Sequence, residues 1–445
     1  MLQQYRFIGC LGVGLLLALT ATAVEKPLGT FASAGASNNP ADGNSIYGDA
    51  QLRGVLVRAT WDAIEPTPGN FTFTTLAGQI SNLKSKGLAW SLAILGGGIG
   101  SPAWLTNSPG QGGLGAPYVN YSFRGTPGYK LPLFWNTLVQ TRLQLLANAL
   151  AAQYGNDPSL KLVYVTQMTA NGIEGHLQGV NMSDLVAAGY TDANWIAAGK
   201  QAARNFANAF TEKALAFEVH NVNGSAVVPG TIINDLWADT SLDHRVGAAM
   251  WWISGRTNYQ SDLLAVLMDY PGDIYGQVIA NSGTASEFPN GDYTAVFSQA
   301  MELGLRYIEP WDYEFANTNN SARRAWDATF AAFNSWADET FRLPPSTGVP
   351  AITLQPASQS ANTGDTVTFG VAASGTTPLG YQWKFGGALI SGSTNQNLVL
   401  GNIQTENAGS YTVTITNAQG SVTSDAALLT VIVAPGGAII TITVE

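Results

Sequence analysis

Residues Leu162–Gly175 read LVYVTQMTANGIEG. An apolar run suited to a buried strand passes into polar residues, and Glu174 stands beside His176. A helical pattern over Phe134–Gln153, with Leu138, Leu143, Leu146 and Leu150 near helical spacing, leads into it. A buried strand tipped by a carboxylate is how a (β/α)8 barrel presents its chemistry, because the C-terminal ends of separate strands converge on one mouth.

The same alternation recurs on both sides. Arg53–Thr60, Leu88–Leu95, Leu162–Thr169, Leu215–Val219, Val246–Ile253, Ile274–Ile279 and Leu305–Ile308 read as strands. Helical patterns separate them at Leu76–Lys86, Phe134–Gln153, Asp192–Phe210, Thr231–Ala238, Ser261–Met268 and Tyr293–Gly304, and Ala322–Trp336 closes the series. Buried strands alternating with helices argue for a mainly parallel sheet covered on both faces. An eighth strand, which a closed barrel requires, has to come from the Gly- and Ser-rich lead-in near Gly29–Ala34. A doubly wound sheet is the alternative, and the absence of Gly-x-Gly-x-x-Gly after an early strand weakens its nucleotide-binding form. Thr106–Leu131 exceeds the usual connection length and reads as a functional or mobile loop. Gly96-Gly97-Gly98 leaves the backbone open to a close ligand or a tight turn.

Near Leu343–Pro356 four prolines break the helical pattern. Beyond them, Thr368, Val371, Tyr381, Trp383, Tyr411, Val413 and Ile415 sit in short alternating runs separated by turn residues, which predicts an antiparallel β domain. The expected organisation is a (β/α)8 domain over 24–343, an all-β sandwich over 349–432 and a tail at 433–445.

Composition narrows the function. Charged residues make up 11% of the 445, and 20 Lys+Arg against 30 Asp+Glu give a net charge of −10. A phosphate-binding surface needs clustered cations, so nucleic acid is a poor partner. Residues 1–23 carry Arg6, an apolar run Phe7–Leu19 and Ala21-Thr22-Ala23, the pattern of a signal peptide cut after Ala23. A membrane anchor is the other reading, but the run is short for a span. Cys10, the sole cysteine, falls inside it, so the expected mature protein is secreted or held at the cell surface without disulfides or a thiol nucleophile.

Cleaving a glycosidic bond needs an acid at the leaving oxygen and a second carboxylate at the anomeric carbon or its attacking water. Glu174 and Glu309 both follow apolar strand cores, and Glu218 competes for the second role. Glu65 sits in a loop pinned by Pro66 and is a weak candidate. An acid among them has to stay protonated near neutral pH, which burial or a neighbouring carboxylate would favour. Trp61, Trp104, Trp251, Trp252 and Trp311 fall near strand ends, where aromatic faces suit sugar C–H faces, although any one of them could be ordinary core. Asn171, His176 and Gln277 complete the candidate binding set, with His176 able to orient Glu174. His176, His220 and His244 lack metal-site spacing and no Gly-x-Ser-x-Gly elbow occurs, so neither a metal nor a cofactor is expected.

On these residues the first domain resembles the clan of (β/α)8 glycoside hydrolases that includes beta-galactosidases and cellulases. Val57–Pro66, continuing to Gly69 and Phe71, is similar to their second-strand segment. Leu92–Leu105, ending Pro-Ala-Trp-Leu, is similar to their third, and Tyr154–Pro158 followed by Leu162–Glu174 to the approach to their fourth. The resemblance implies an exported glycosidase with carbohydrate as its partner, Glu174 as acid/base, Glu309 as nucleophile and retention as the favoured outcome. Two departures stand out. Ile173, not Asn, precedes Glu174, and the seventh strand, which carries the clan's nucleophile, offers Gln277 and Asn281 but no Glu. A catalytically silent glycan-binding relative is the alternative. The second domain resembles bacterial immunoglobulin-like modules: Asn407–Val413 matches their tyrosine corner and Trp383 their core tryptophan, while Val371 and Val413 stand where disulfide cysteines would be. This implies a spacing or attachment role.

Overall fold

The computed structural model describes residues 24–33, 45–315, 326–341, 348–376 and 379–432. The expected signal peptide, the tail and much of the Pro-rich junction lie outside the described residues. The chain divides into two compact units, Met1–Asn334 and Ser335–Glu445.

The first unit is a closed barrel of eight parallel strands: β1 Gly29–Ser33, β2 Gly54–Thr60, β3 Ala89–Leu95, β4 Leu160–Tyr164, β5 Ala214–Glu218, β6 Val246–Ile253, β7 Ile274–Val278 and β8 Leu305–Glu309. Each pairs in parallel with its chain neighbours, and β1 closes the ring against β8. This excludes the doubly wound alternative. The lead-in supplies the first strand, and Glu309 therefore stands on the eighth. Around the barrel run α1 Thr74–Ser85, α2 Thr137–Tyr154, α3 Asp192–Ala209, α4 Val227–Ala238, α5 Ser261–Met268, α6 Thr294–Glu302 and α7 Asp327–Phe341. No described helix is long and apolar enough to cross a membrane.

Size complementarity fills the barrel. Phe31, Tyr164, Trp251, Tyr275 and Tyr307 point inward, and Ala93, Ala214, Ala216 and Ala249 leave the room those rings need. Parallel strands covered on both faces read as continuous apolar runs, which is why most of them were visible in the sequence.

Three local readings are corrected. The predicted strand Leu162–Thr169 ends at Tyr164, and Glu174 lies on an irregular segment well beyond it. The long connection Thr106–Leu131 contains an antiparallel hairpin, Tyr118–Phe123 with Thr126–Pro132, turned at Arg124-Gly125 with both residues at positive φ. Of the two readings of Gly96–Gly98, the close ligand gives way to protein and the tight turn stands: Gly97 has φ +56°, a Cβ on it would lie 2.0 Å from the Thr169 carbonyl oxygen, and one on Gly172 would lie 2.2 Å from the Gly96 nitrogen. These small residues let the β4–α3 segment cross the end of β3.

The second unit is immunoglobulin-like. Gly380–Phe385, Gly409–Asn417 and Ala427–Ile432 form the centre of one antiparallel sheet, and Val367–Gly370 pairs with Asn397–Leu400 in another. Trp383, Val371 and Val413 share its core. The Tyr411 hydroxyl donates to the Asn407 carbonyl at 2.8 Å, forming the expected tyrosine corner.

A buried ion pair braces the barrel wall. The carboxylate of Glu65, wholly inaccessible to solvent, accepts from Arg142 on α2, from Trp61 Nε1 at 2.8 Å and from the Gly69 amide at 2.7 Å. Truncating Arg142 would leave a buried charge without its cation. Arg142→Ala is expected to destabilise the barrel by about 3–5 kcal/mol, read as a lower denaturation midpoint. A loss below about 1 kcal/mol, the size of an exposed pair, would show that the pair contributes no more than one at the surface.

Candidate active site

At the C-terminal ends of the strands, one cation sits among several carboxylates. Arg58 on β2 is bracketed by two indole rings, its guanidinium carbon 5.5 Å from the Trp251 ring centre and 5.7 Å from that of Trp311. Its Nη2 donates to Ser33 Oγ on β1 at 3.2 Å, and Gln277 on β7 donates to the same hydroxyl. Both Glu309 and Glu174 bear on Arg58 electrostatically, Glu309 the more strongly.

Glu309 ends β8, entirely buried. Its Oε1 accepts from Tyr164 at 3.0 Å and from Tyr307, whose hydroxyl is itself 2.7 Å from Ser91 Oγ. Its Oε2 has no hydrogen-bond partner among the described residues. Burial pushes the carboxyl up; the Tyr307 bond, the Arg58 charge, and the Tyr164 and Ser91 hydroxyls oppose this, and the pKa lies at about 7.

Glu174 is the open member, with about a quarter of its side chain (25%) exposed. Ile173, the residue standing in place of the clan's Asn, is fully buried among the barrel's interior rings and pins the segment that presents Glu174. Asn171 restores the missing amide from three residues back. Its Nδ2 donates to Glu174 Oε2 at 2.7 Å, and its Oδ1 accepts from the amides of Ile173 at 3.2 Å and Glu174 at 2.9 Å. His176 Nε2 lies 2.8 Å from the same carboxylate oxygen. Because the Gln178 amide donates to His176 Nδ1 at 3.2 Å, the neutral ring carries its proton on Nε2 and donates to Glu174. Burial raises Glu174, but the His176 bond, the imidazoles of His220 and His176, and the Asn171 amide outweigh it and hold the carboxyl below its ordinary value.

The two environments push the carboxyls apart: Glu309 is raised to about 7 and Glu174 is held below its ordinary value.

Glu218, the competitor, ends β5 and is a tether. It accepts from the Gly175 amide at 2.5 Å, the Trp251 amide at 2.9 Å and His220 Nδ1 at 3.0 Å, joining the Glu174 segment to β6. Burial raises its pKa, His220 lowers it in part, and Glu174 adds to the rise. Burial lowers His220, but Glu218 and Glu174 overcome that and raise it. The His176 and His220 rings meet edge to face at 5.3 Å. Phe123 of the hairpin stacks on His176 at 6.0 Å, and Tyr121 donates to the Ala170 carbonyl, so the hairpin walls one side of the site. The sequence showed the hairpin only as a long loop and His220 only as a histidine without metal-site spacing.

The aromatic candidates divide. Trp251 and Trp311 line the mouth around Arg58. Trp252 is buried against His220, with its Nε1 bonded to the Val219 carbonyl. Trp61 and Trp104 are placed elsewhere, packed edge to face at 6.2 Å beside the Glu65–Arg142 pair, with no face left for a sugar. Glu65 is accounted for by that pair. Among the described residues no group of three or more His, Cys, Asp or Glu is placed to hold a metal ion.

Residues 349–417 match the family model described as Immunoglobulin domain. The C-terminal unit is an immunoglobulin-like domain. No curated protein matches the chain. Among solved structures, the tandem Ig repeats of Dlar are 25% identical over 20% of this chain and 49% of theirs, with a TM-score of 0.19. Titin M4 is 25% identical over 19% of this chain and 97% of its own, with a TM-score of 0.18. The titin domains Z1Z2, solved with telethonin, are 27% identical over 20% and 50%, with a TM-score of 0.18. The chain spans about half the length of the first of these.

The folded state binds the Glu309 proton from the ordinary carboxyl value of 4.5 up to about 7, a range in which the unfolded chain has released it. Stability therefore falls as pH rises through that window, by about 3 kcal/mol from this group. Glu309→Gln cannot ionise and loses this slope. Urea unfolding at pH 5 and pH 8 should show the variant gaining about that much on the wild type. The same stability gap at both pH values would mean that Glu309 is not held neutral in the fold.

Proposed function

We propose that the chain is an exported glycoside hydrolase whose reacting carboxyls are Glu309 and Glu174. The observation that carries this is the division of two carboxyls around Arg58 into one that keeps its proton to about pH 7 and one held ionised. Acid and base chemistry at one pH requires such a split. Glu309 Oε2, unpartnered among the described residues, is the atom for protonating a leaving-group oxygen. Glu174, oriented by Asn171 and His176, is the carboxylate for activating water.

With Glu174 assigned to the water and Glu309 to the leaving group, the mechanism proposed is inverting, in place of the retention implied by resemblance, and it requires a carboxyl separation of roughly 6.5–9.5 Å.

The second reading is a glycan-binding protein without turnover. Two observations favour it: Gln277 occupies β7, and Glu309 is closed to solvent. Incubation with a panel of polysaccharides and aryl glycosides separates the two, because only an enzyme releases new reducing ends.

In the enzyme, Glu174→Gln and Glu309→Gln should each lower kcat by about 10²–10⁴-fold. Wild-type activity should decline as pH rises through about 7, where Glu309 loses its proton. Proton NMR of the first-formed sugar should show the inverted anomer. Wild-type rates in both variants would end the carboxyl assignment, and a retained anomer would end the inverting one.

A further inference from the structure

Past the C-terminal end of β6 lies a polar cavity of about 610 Å³ that the chemistry above does not use. The β6–α5 loop lines it with Gly255, Arg256, Thr257, Asn258 and Tyr259, and Pro289 closes it from the β7–α6 connection. The loop is held in shape from behind. Gln299 on α6 accepts from the Gly255 amide at 2.9 Å and donates to the Arg256 carbonyl at 3.0 Å. Gly255 has φ +78°, and a Cβ there would come within 2.8 Å of Ala295. At the other end, Gln260 accepts from the Asn221 amide at 2.6 Å, just past β5. A loop fixed at both ends presents Thr257, Asn258 and Tyr259 to solvent with little ordering cost on binding.

The cavity adjoins the candidate active site. Tyr259 packs on Trp252 at 5.9 Å, and Trp252 packs on His220. Burial raises the Tyr259 hydroxyl, and the charges of Glu174 and Glu218 add to the rise, so the ring stands within their field. Its cation is Arg256, whose Nη1 lies 3.4 Å from Glu287 and whose Nη2 donates to the Ser286 carbonyl. Those contacts hold the guanidinium plane in place and occupy two of its five N–H groups. Arg124, exposed at the hairpin turn, holds its guanidinium 5.2 Å over Phe123, the ring stacked on His176.

We propose that this cavity is a saccharide subsite that recognises an anionic substituent, a uronic carboxylate or a sulfate ester, through Arg256, with Tyr259 and Asn258 holding the ring that bears it. The proposal rests on reading the barrel mouth as a carbohydrate site and names its substrate class. A planar fork suits carboxylate and sulfate oxygens, and a fixed fork loses less freedom on binding them.

Affinity electrophoresis of the full chain at low salt tests it with matched polymers: polygalacturonate and alginate against their carboxyl-reduced forms, and carrageenan and fucoidan against their desulfated forms. At least one charged polymer should be held about 10–100-fold more tightly than its neutral counterpart. The carboxylate and sulfate pairs identify which group is read. Arg256→Gln should collapse that ratio, and Arg256→Lys should retain part of it. Thermal midpoints of both variants establish that they are folded. Equal retention within every pair, or an unchanged ratio in folded Arg256→Gln, overturns the subsite and leaves the saccharide reading standing. Failure to bind any polymer, charged or neutral, overturns both.

Discussion

The Arg58 guanidinium is the charge on which the barrel mouth depends. It reaches the centre from β2, and its neighbours come from around the ring: Ser33 from β1, Trp251 from β6, and Glu309 and Trp311 at the end of β8. None of these groups is near another in sequence except the last two. They meet because β1 closes the barrel against β8, an arrangement continued past the strands by the Ser33 amide donating to the Pro310 carbonyl at 2.8 Å. Without a nearby cation, a carboxyl as deeply buried as Glu309 would be driven higher still. With it, the pKa stays in reach of neutral pH.

Three buried carboxyls in the same barrel differ in how fully their oxygens are partnered. Glu65 has a full complement of partners, with arginine, indole and amide donors all engaged. Glu218 is likewise satisfied, by two backbone amides and an imidazole, and each of those bonds joins one part of the barrel rim to another. Glu309 differs: both donors fall on one oxygen and the other is left open. An unpaired buried polar atom is costly, and such costs concentrate where a protein does chemistry.

Much of the architecture was legible because its physical causes are local. Apolar runs mark the doubly covered strands, and even the short lead-in strand could be placed by requiring the ring to close. The hairpin was legible and overlooked: Tyr118, Asn120 and Ser122 alternate with buried Val119 and Tyr121, and Arg124-Gly125 marks the turn. The wrong placement of Trp61 and Trp104 has another cause. Trp61 directly follows β2 and Trp104 stands in the connection after β3, but each enters a short helix, Trp61–Ile64 or Ala103–Thr106, that carries its ring into the Glu65–Arg142 cluster. Proximity to a strand end places a residue at the rim without setting the direction of its side chain. The charge states of Glu174 and Glu309 were illegible for a similar reason. They are set by Asn171 and His176 on one side and by Tyr164, Tyr307 and Arg58 on the other, groups assembled only by the fold.

The Gln277 and Glu309 pair shows why a buried carboxyl stands on only one of two adjacent strands. The two residues are register partners on adjacent strands, so their side chains emerge at the same height and on the same side of the sheet. Strand spacing separates such positions by about 4.8 Å. Two carboxyls that close in a buried setting cannot both ionise, and one would be forced well above neutrality. A neutral amide at 277, bonded to Ser33, avoids that conflict and helps hold the hydroxyl that Arg58 uses. The carboxyl at 309 then has Arg58 as its counterion and a pair of tyrosine hydroxyls as donors. One carboxyl per register pair is what the electrostatics permit, and its place on β8 sets it across the barrel from the strand leading to Glu174.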